Sequence, residues 1–180
     1  MYYIKNKLLI DKIVVDKIIK KFGSPTYCYS YNKLKENILK FQKNFRKINP
    51  LICFAVKANN NNKLLNEMAR LGIGADVVSK GELMLALKSK IHPKKIVFSG
   101  VGKTFMEIMY AVKKNILLIN IESQSELETV LKIAKKLNKS IDIGIRLNPN
   151  VDAKTIKEIT TGKDSNKFGL TEKEVVELVN

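Results

Sequence analysis

Cysteine, histidine and arginine are scarce in this chain, and no apolar run is long. The two cysteines, Cys28 and Cys53, are too few for a disulfide framework, and they lack the CxxC spacing of zinc or redox sites. Both read as reduced thiols in strand-like segments. The single histidine, His92, lies in the lysine-rich loop IHPKK with no cysteine or carboxylate at ligand spacing. A surface position is expected for it, and a histidine-based triad is excluded. No run approaches the roughly 20 apolar residues that a membrane span requires. The N-terminus, MYYIKNKLLIDK, carries charges where a secretory leader needs an apolar stretch. A cytoplasmic protein without a membrane partner is the expectation.

What the chain has in quantity is lysine. Its formal net charge of +16 first suggests a nucleic-acid binder, since clustered basic residues neutralise phosphates. Distribution argues otherwise. Arg46, Arg70 and Arg146 are the only arginines among 33 basic residues, and the lysines spread along the whole chain without the interleaved aromatics of a single-strand binder. They read as a solvated surface, and no nucleic-acid partner is expected. A length of 180 residues with 45% hydrophobic content supports a folded body with a core.

Short apolar runs rich in β-branched residues occur at LICFAVKA (51–58), GADVVS (74–79), KIVFSG (95–100), LLINIES (117–123) and SIDIGIRLN (140–148). Each has strand length. Between them lie segments of helical spacing: NKLLNEMARLG, KGELMLALKSK, TFMEIMYAVKKN and QSELETVLKIAKKLN, the last starting on a cap that contains Ser125 and ending in lysines. Strand ends recur about every 20 to 24 residues. So regular an alternation predicts parallel strands covered by helices. Of the two architectures that satisfy it, the doubly wound sheet should show a glycine-rich turn after its first strand, and Lys57-Ala58-Asn59-Asn60 is not one. The closed (β/α)8 barrel is favoured. Only about five of its eight βα units are present before the chain stops in a further helix, TEKEVVELVN, so a truncated chain is expected. Residues 25–180 form the barrel part, opening with a strand-helix pair, TYCYS and YNKLKENILKFQKNFRKI, outside the barrel count. Residues 1–24 are expected to pack elsewhere.

Chemistry in such barrels gathers at the C-terminal ends of the strands. Those ends carry Lys57, then Asp76 and Ser79, then Ser99 and Gly100, then Glu122, then Arg146 with Asn148. Lys57 admits two readings on spacing alone. An amine among small, apolar neighbours such as Ala55 is partly desolvated, more nucleophilic, and able to form a Schiff base with a carbonyl. Equally, the side chain could simply snorkel to water. SGVGKT (99–104) is not a phosphate loop, because that motif needs four residues between its glycines and Gly100 and Gly102 have one. By spacing it is a strand-to-helix turn.

Taken together and in order, FAVKAN, GADVVSKGEL, KIVFSGVGKT, INIES, RLNPNVDAKT and TGKDSNKFGL resemble the N-terminal part of the diaminopimelate decarboxylases. These are pyridoxal-phosphate enzymes of the alanine-racemase-like barrel class, and the resemblance runs from about Phe22 to Leu170. AVKAN is common to the wider superfamily; GADVVS followed by SGVGKT points to the diaminopimelate branch. The resemblance implies that Lys57 holds pyridoxal 5'-phosphate through its amine, and that Asp76 and Arg146 face the cofactor, the latter near the ring hydroxyl. Glu82 matches a carboxylate near the same site, although a helix N-terminal acid is an equal reading. Ser79 and Asn148 carry less.

The implied reaction is decarboxylation of meso-diaminopimelate to L-lysine and carbon dioxide, in a homodimer when the chain is full length. A histidine stacking on the ring, a glycine-rich phosphate site, a glutamate facing the pyridine nitrogen and a C-terminal β-domain all fall beyond Asn180 in that family. One departure lies after DAKT, where relatives often have His-Pro-Tyr and this chain has Ile156-Lys157-Glu158. The alternatives are a decarboxylase of another basic amino acid, such as ornithine or arginine, and a non-catalytic barrel that binds pyridoxal phosphate.

Overall fold

A computed structural model describes residues 1–151 and 168–179. The Ile156-Lys157-Glu158 departure lies outside the described residues. The chain divides into two compact units, Met1–Pro50 and Leu51–Asn180.

The first unit opens with a three-stranded antiparallel sheet of β1 (Tyr2–Ile4), β2 (Lys7–Ile10) and β3 (Ile13–Val14), in that order. Its two-residue turns, Lys5-Asn6 and Asp11-Lys12, have positive φ at both positions, the geometry that matches the twist of paired strands. Helix α1 (Val15–Phe22) ends at Gly23, whose φ of 81° suits a residue without Cβ. Helix α2 (Tyr31–Phe45) starts on Ser30, whose hydroxyl accepts from the Lys33 N–H and donates to Asp11 Oδ1 at 2.6 Å. The expected strand at TYCYS does not form. Its aromatic composition favours a strand, but the segment has no pairing partner among the described residues and Tyr27 is 93% exposed.

In the second unit five parallel strands alternate with helices, in the sequence β4 (Cys53–Ala55), α3 (Asn62–Arg70), β5 (Gly74–Val77), α4 (Lys80–Lys88), β6 (Ile96–Phe98), α5 (Phe105–Lys114), β7 (Leu118–Ile121), α6 (Gln124–Leu137) and β8 (Asp142–Ile145). Helix α7 (Glu172–Val179) follows. The spatial order β4-β5-β6-β7-β8 repeats the chain order with no reversal, as in a barrel and unlike a doubly wound sheet. The architecture is a partial (β/α)8 barrel.

Strand alternation sorts the side chains. Ala75, Val77, Ile96, Phe98, Ile119 and Ile121 are buried and pack with Leu65, Leu83, Ile108, Val130 and Ile133 of the helices. The intervening positions, Asp76, Val97 and Asn120, belong to the opposite face and are only partly buried. That second face carries the candidate chemistry.

Helices α4, α5 and α6 share one N-terminal device. Ser79 caps α4, Thr104 caps α5 and Ser123 caps α6, each accepting from the N–H three residues on, at Glu82, Glu107 and Glu126. The α6 cap is therefore Ser123 and not Ser125. Glu82 returns its carboxylate to the Val78 N–H at 2.9 Å, so its side chain serves the start of α4. No described helix is long and apolar enough to cross a membrane.

Candidate active site

A cleft of ≈ 660 Å³ lies at the C-terminal ends of the strands, within the range of ~300–1,000 Å³ usual for small-molecule sites. Lys57, Asp76 and Arg146 all line it, with Ser99, Gly100, Asn120, Glu122 and Phe168. Lys57 sits in a single 3-10 turn, Val56–Ala58, directly after β4. Val56 beside it is fully buried and anchors the turn. The lysine itself is exposed, so of its two readings from spacing the amine that reaches water is the one found, and the partly desolvated one is not. An accessible amine at a cleft wall can meet a carbonyl entering from solvent.

Asp76 leaves β5 toward the same space. Its Oδ1 accepts from Ser99 Oγ at 2.7 Å, and Ser99 Oγ in turn accepts from Asn120 Nδ2 at 3.0 Å. The three residues link β5, β6 and β7 in a row across the sheet. The row continues to Gly144, paired in register with Asn120, where a Cβ would lie 2.5 Å from Asn120 Oδ1. Asp76 also acts on its neighbour: burial pushes the Cys53 thiol up, and the Asp76 charge adds to the shift. The raised thiol keeps Cys53 protonated, in keeping with its reading as an inert thiol, and it does not line the cleft.

Arg146 follows β8 directly. Its Nη1 lies 3.2 Å from both carboxylate oxygens of Glu122, and its guanidinium stacks 4.8 Å from the Phe168 ring centre. Glu122 Oε1 also accepts from the Gly100 N–H at 2.9 Å. Asn148 is not a lining residue. It is buried and ties the chain locally, its Nδ2 donating to the Phe168 carbonyl and its Oδ1 accepting from the Asn150 N–H. Ser79, as the α4 cap, is likewise occupied away from the cleft lining.

The cleft therefore brings together all three residues singled out from the sequence. Asn120 was missed, although its place between buried Ile119 and Ile121 marks it as facing the other way. Glu122 stood at a strand end without an assigned partner. Phe168 could not be placed from spacing, because it stands 22 residues beyond Arg146 in the sequence and outside any strand-end pattern.

The donor set fits a cofactor bearing an aldehyde and a polar ring: a reachable primary amine, a hydrogen-bonded carboxylate and a guanidinium, with glycine backbone at positions 100 and 102 leaving room at the wall. Residues 31–180 match the family model described as "Pyridoxal-dependent decarboxylase, pyridoxal binding domain". The chain belongs to the pyridoxal-dependent decarboxylases. This pyridoxal-binding domain is 47% identical over 163 residues to a diaminopimelate decarboxylase of Helicobacter pylori strain J99, covering 91% of this chain and 40% of that protein. It is 45% identical over 168 residues to the diaminopimelate decarboxylase of Aquifex aeolicus, covering 93% and 40%. Among solved structures, diaminopimelate decarboxylase from M. jannaschii in complex with L-lysine superposes with a TM-score of 0.89 at 36% identity, covering 97% of this chain and 42% of that one. The chain thus spans about 40% of the length of the curated relatives it matches.

Proposed function

We propose that this chain forms the cofactor-binding part of a decarboxylase that converts meso-diaminopimelate to L-lysine and carbon dioxide. The observation that carries the substrate is the 45–47% identity to diaminopimelate decarboxylases over more than nine tenths of the chain. Lys57 binds pyridoxal 5'-phosphate through its amine; Asp76 and Arg146 face the cofactor and orient it. When bound, the cofactor supplies an electron sink for the pair left on the α-carbon as carbon dioxide departs. The chain's own contribution is position. The Ser99 hydroxyl donates to Asp76 and fixes the direction of its carboxylate, while Glu122 holds the Arg146 guanidinium in the same cleft.

Residues 1–24 pack with a β-domain contributed by chain outside this sequence, the working enzyme is a cytoplasmic homodimer, and nucleic acid and membranes are not its partners. The test is carbon dioxide release by the full-length protein from equal concentrations of meso-diaminopimelate, ornithine, arginine and lysine, with pyridoxal phosphate present. Diaminopimelate carries a second amino-acid head, and a pocket built to pair its charges rejects analogues that leave them unmet, by about 10⁴-fold or more. Preference for ornithine or arginine contradicts the substrate and leaves Lys57 in place. Release from none of them, with cofactor attached, favours a non-catalytic pyridoxal-phosphate protein.

A further inference from the structure

The turn between β6 and α5, Ser99–Thr104, contains a lysine whose environment is unlike that of the surface lysines. The Lys103 side chain is 1% exposed. Its ammonium lies 2.7 Å from Glu126 Oε1, donates to the Gly100 carbonyl, and sits 5.8 Å from the Phe98 ring centre. Glu126 is also buried, its side chain 9% exposed. Removing two charges from water costs several kcal/mol per ion unless geometry compensates, so such a pair is weak evidence for stability. What it supplies here is register.

Two arms run from the Lys103 ammonium to one residue. Through Glu126, whose other oxygen accepts from the Glu122 N–H at 2.8 Å, it fixes the backbone at the end of β7. Through the Gly100 carbonyl it fixes the turn whose own N–H donates to Glu122 Oε1 at 2.9 Å. Gly100 has φ 106°, open chiefly to glycine, which gives the turn the shape that aims its N–H at that carboxylate. Both arms end on Glu122, and Glu122 is the partner of Arg146 in the cleft. We propose that Lys103 is a positioning residue that sets Arg146 for the cofactor, acting through Glu126, Gly100 and Glu122 without lining the cleft itself. This rests on the reading that Lys57 and Arg146 engage pyridoxal phosphate here.

The experiment is a double-mutant cycle on pyridoxal phosphate affinity in the full-length protein. Lys103→Met with Glu126→Gln removes both buried charges together, so no uncompensated ion is left in the fold, and Gln keeps an oxygen able to accept from the Glu122 N–H. This pair and Arg146→Lys are each expected to raise the dissociation constant about tenfold, and the combination is expected to be no weaker than either alone. Losses that multiply to about a hundredfold, or an unchanged constant in the cooperatively melting pair, overturn the proposal. Should the pair fail to melt cooperatively, Glu126→Gln alone enters the same cycle with the same two outcomes. Borohydride reduction of the unsubstituted protein keeps the two ideas apart. An adduct on Lys57 with additive losses means that the positioning role fails while the cofactor reading stands. No adduct on Lys57 means that the reading fails, and the inference falls with it.

Discussion

Arg146 presents one nitrogen, Nη1, to both oxygens of the Glu122 carboxylate at 3.2 Å, and the Glu122 side chain is only 2% exposed. A buried carboxylate held from one side by a cation and from another by a backbone N–H keeps that cation in one place. Lysine at position 146 retains the charge and loses the planar fork and the stacking on Phe168. Arg146→Lys is accordingly expected to leave pyridoxal phosphate attachment at Lys57 intact while weakening affinity by about tenfold. Cofactor titration followed by borohydride trapping separates the two effects; loss of attachment in this variant contradicts the orienting role.

Gly144 leaves the space that Asn120 fills. An alanine there would place its Cβ 2.5 Å from Asn120 Oδ1, well inside contact distance. Gly144→Ala is expected to destabilise the protein by about 1–3 kcal/mol through overpacking. Asn120→Ser in the same chain should recover most of that loss. Urea unfolding reads both, with the shift appearing in the midpoint at constant slope.

The start of α6 discriminates between two serines. Ser123 Oγ accepts from the Glu126 N–H at 3.3 Å and is the N-cap, whereas Ser125 lies within the helix. Ser123→Ala is expected to cost about 1 kcal/mol, and Ser125→Ala to stay within about 0.5 kcal/mol of the parent. Equal effects at the two positions would contradict the cap assignment.

Acid stability should carry a contribution from Glu107. Partial burial opposes its ionisation, but the Lys80 N–H, the Thr104 N–H and the Thr104 hydroxyl all donate to its carboxylate and together hold it below its ordinary value of 4.5. A depressed folded-state value adds stability above 4.5 that is lost as pH falls through the lower folded value. Glu107→Gln should therefore narrow the gap to the parent on acidification below 4.5. Thermal melts from neutral pH downward measure it; a gap that stays constant contradicts the linkage.

The barrel was legible because its signal is periodic. Apolar runs of strand length end about every 20 to 24 residues, with one segment of helical spacing in each interval, and these are β4 to β8 and α3 to α6. The small N-terminal sheet gave no such signal. Its strands hold three, four and two residues, and its turns place Lys5 and Lys12 at positive φ where glycine would have marked them. TYCYS misled in the opposite direction, having strand composition without a neighbour to pair with.

In the cleft, Lys57, Asp76 and Arg146 were readable as strand-end polar residues. Their partners were not. That Glu122 faces Arg146 and Ser99 faces Asp76 depends on how β5 to β8 align, which spacing along one chain does not specify. Lys103 was overlooked because the glycine spacing of SGVGKT rules out a phosphate loop, and nothing local marks a lysine as buried. Its partner, Glu126, stands 23 residues away across a helix and a strand.

In the proposed enzyme Lys57 is the residue that carries the cofactor. Incubation of the full-length protein with pyridoxal phosphate, borohydride reduction and peptide mapping tests it most directly. One dominant adduct is expected, on Lys57, absent in a folded Lys57→Ala variant. Label distributed over the surface lysines, and unchanged in Lys57→Ala, would contradict it.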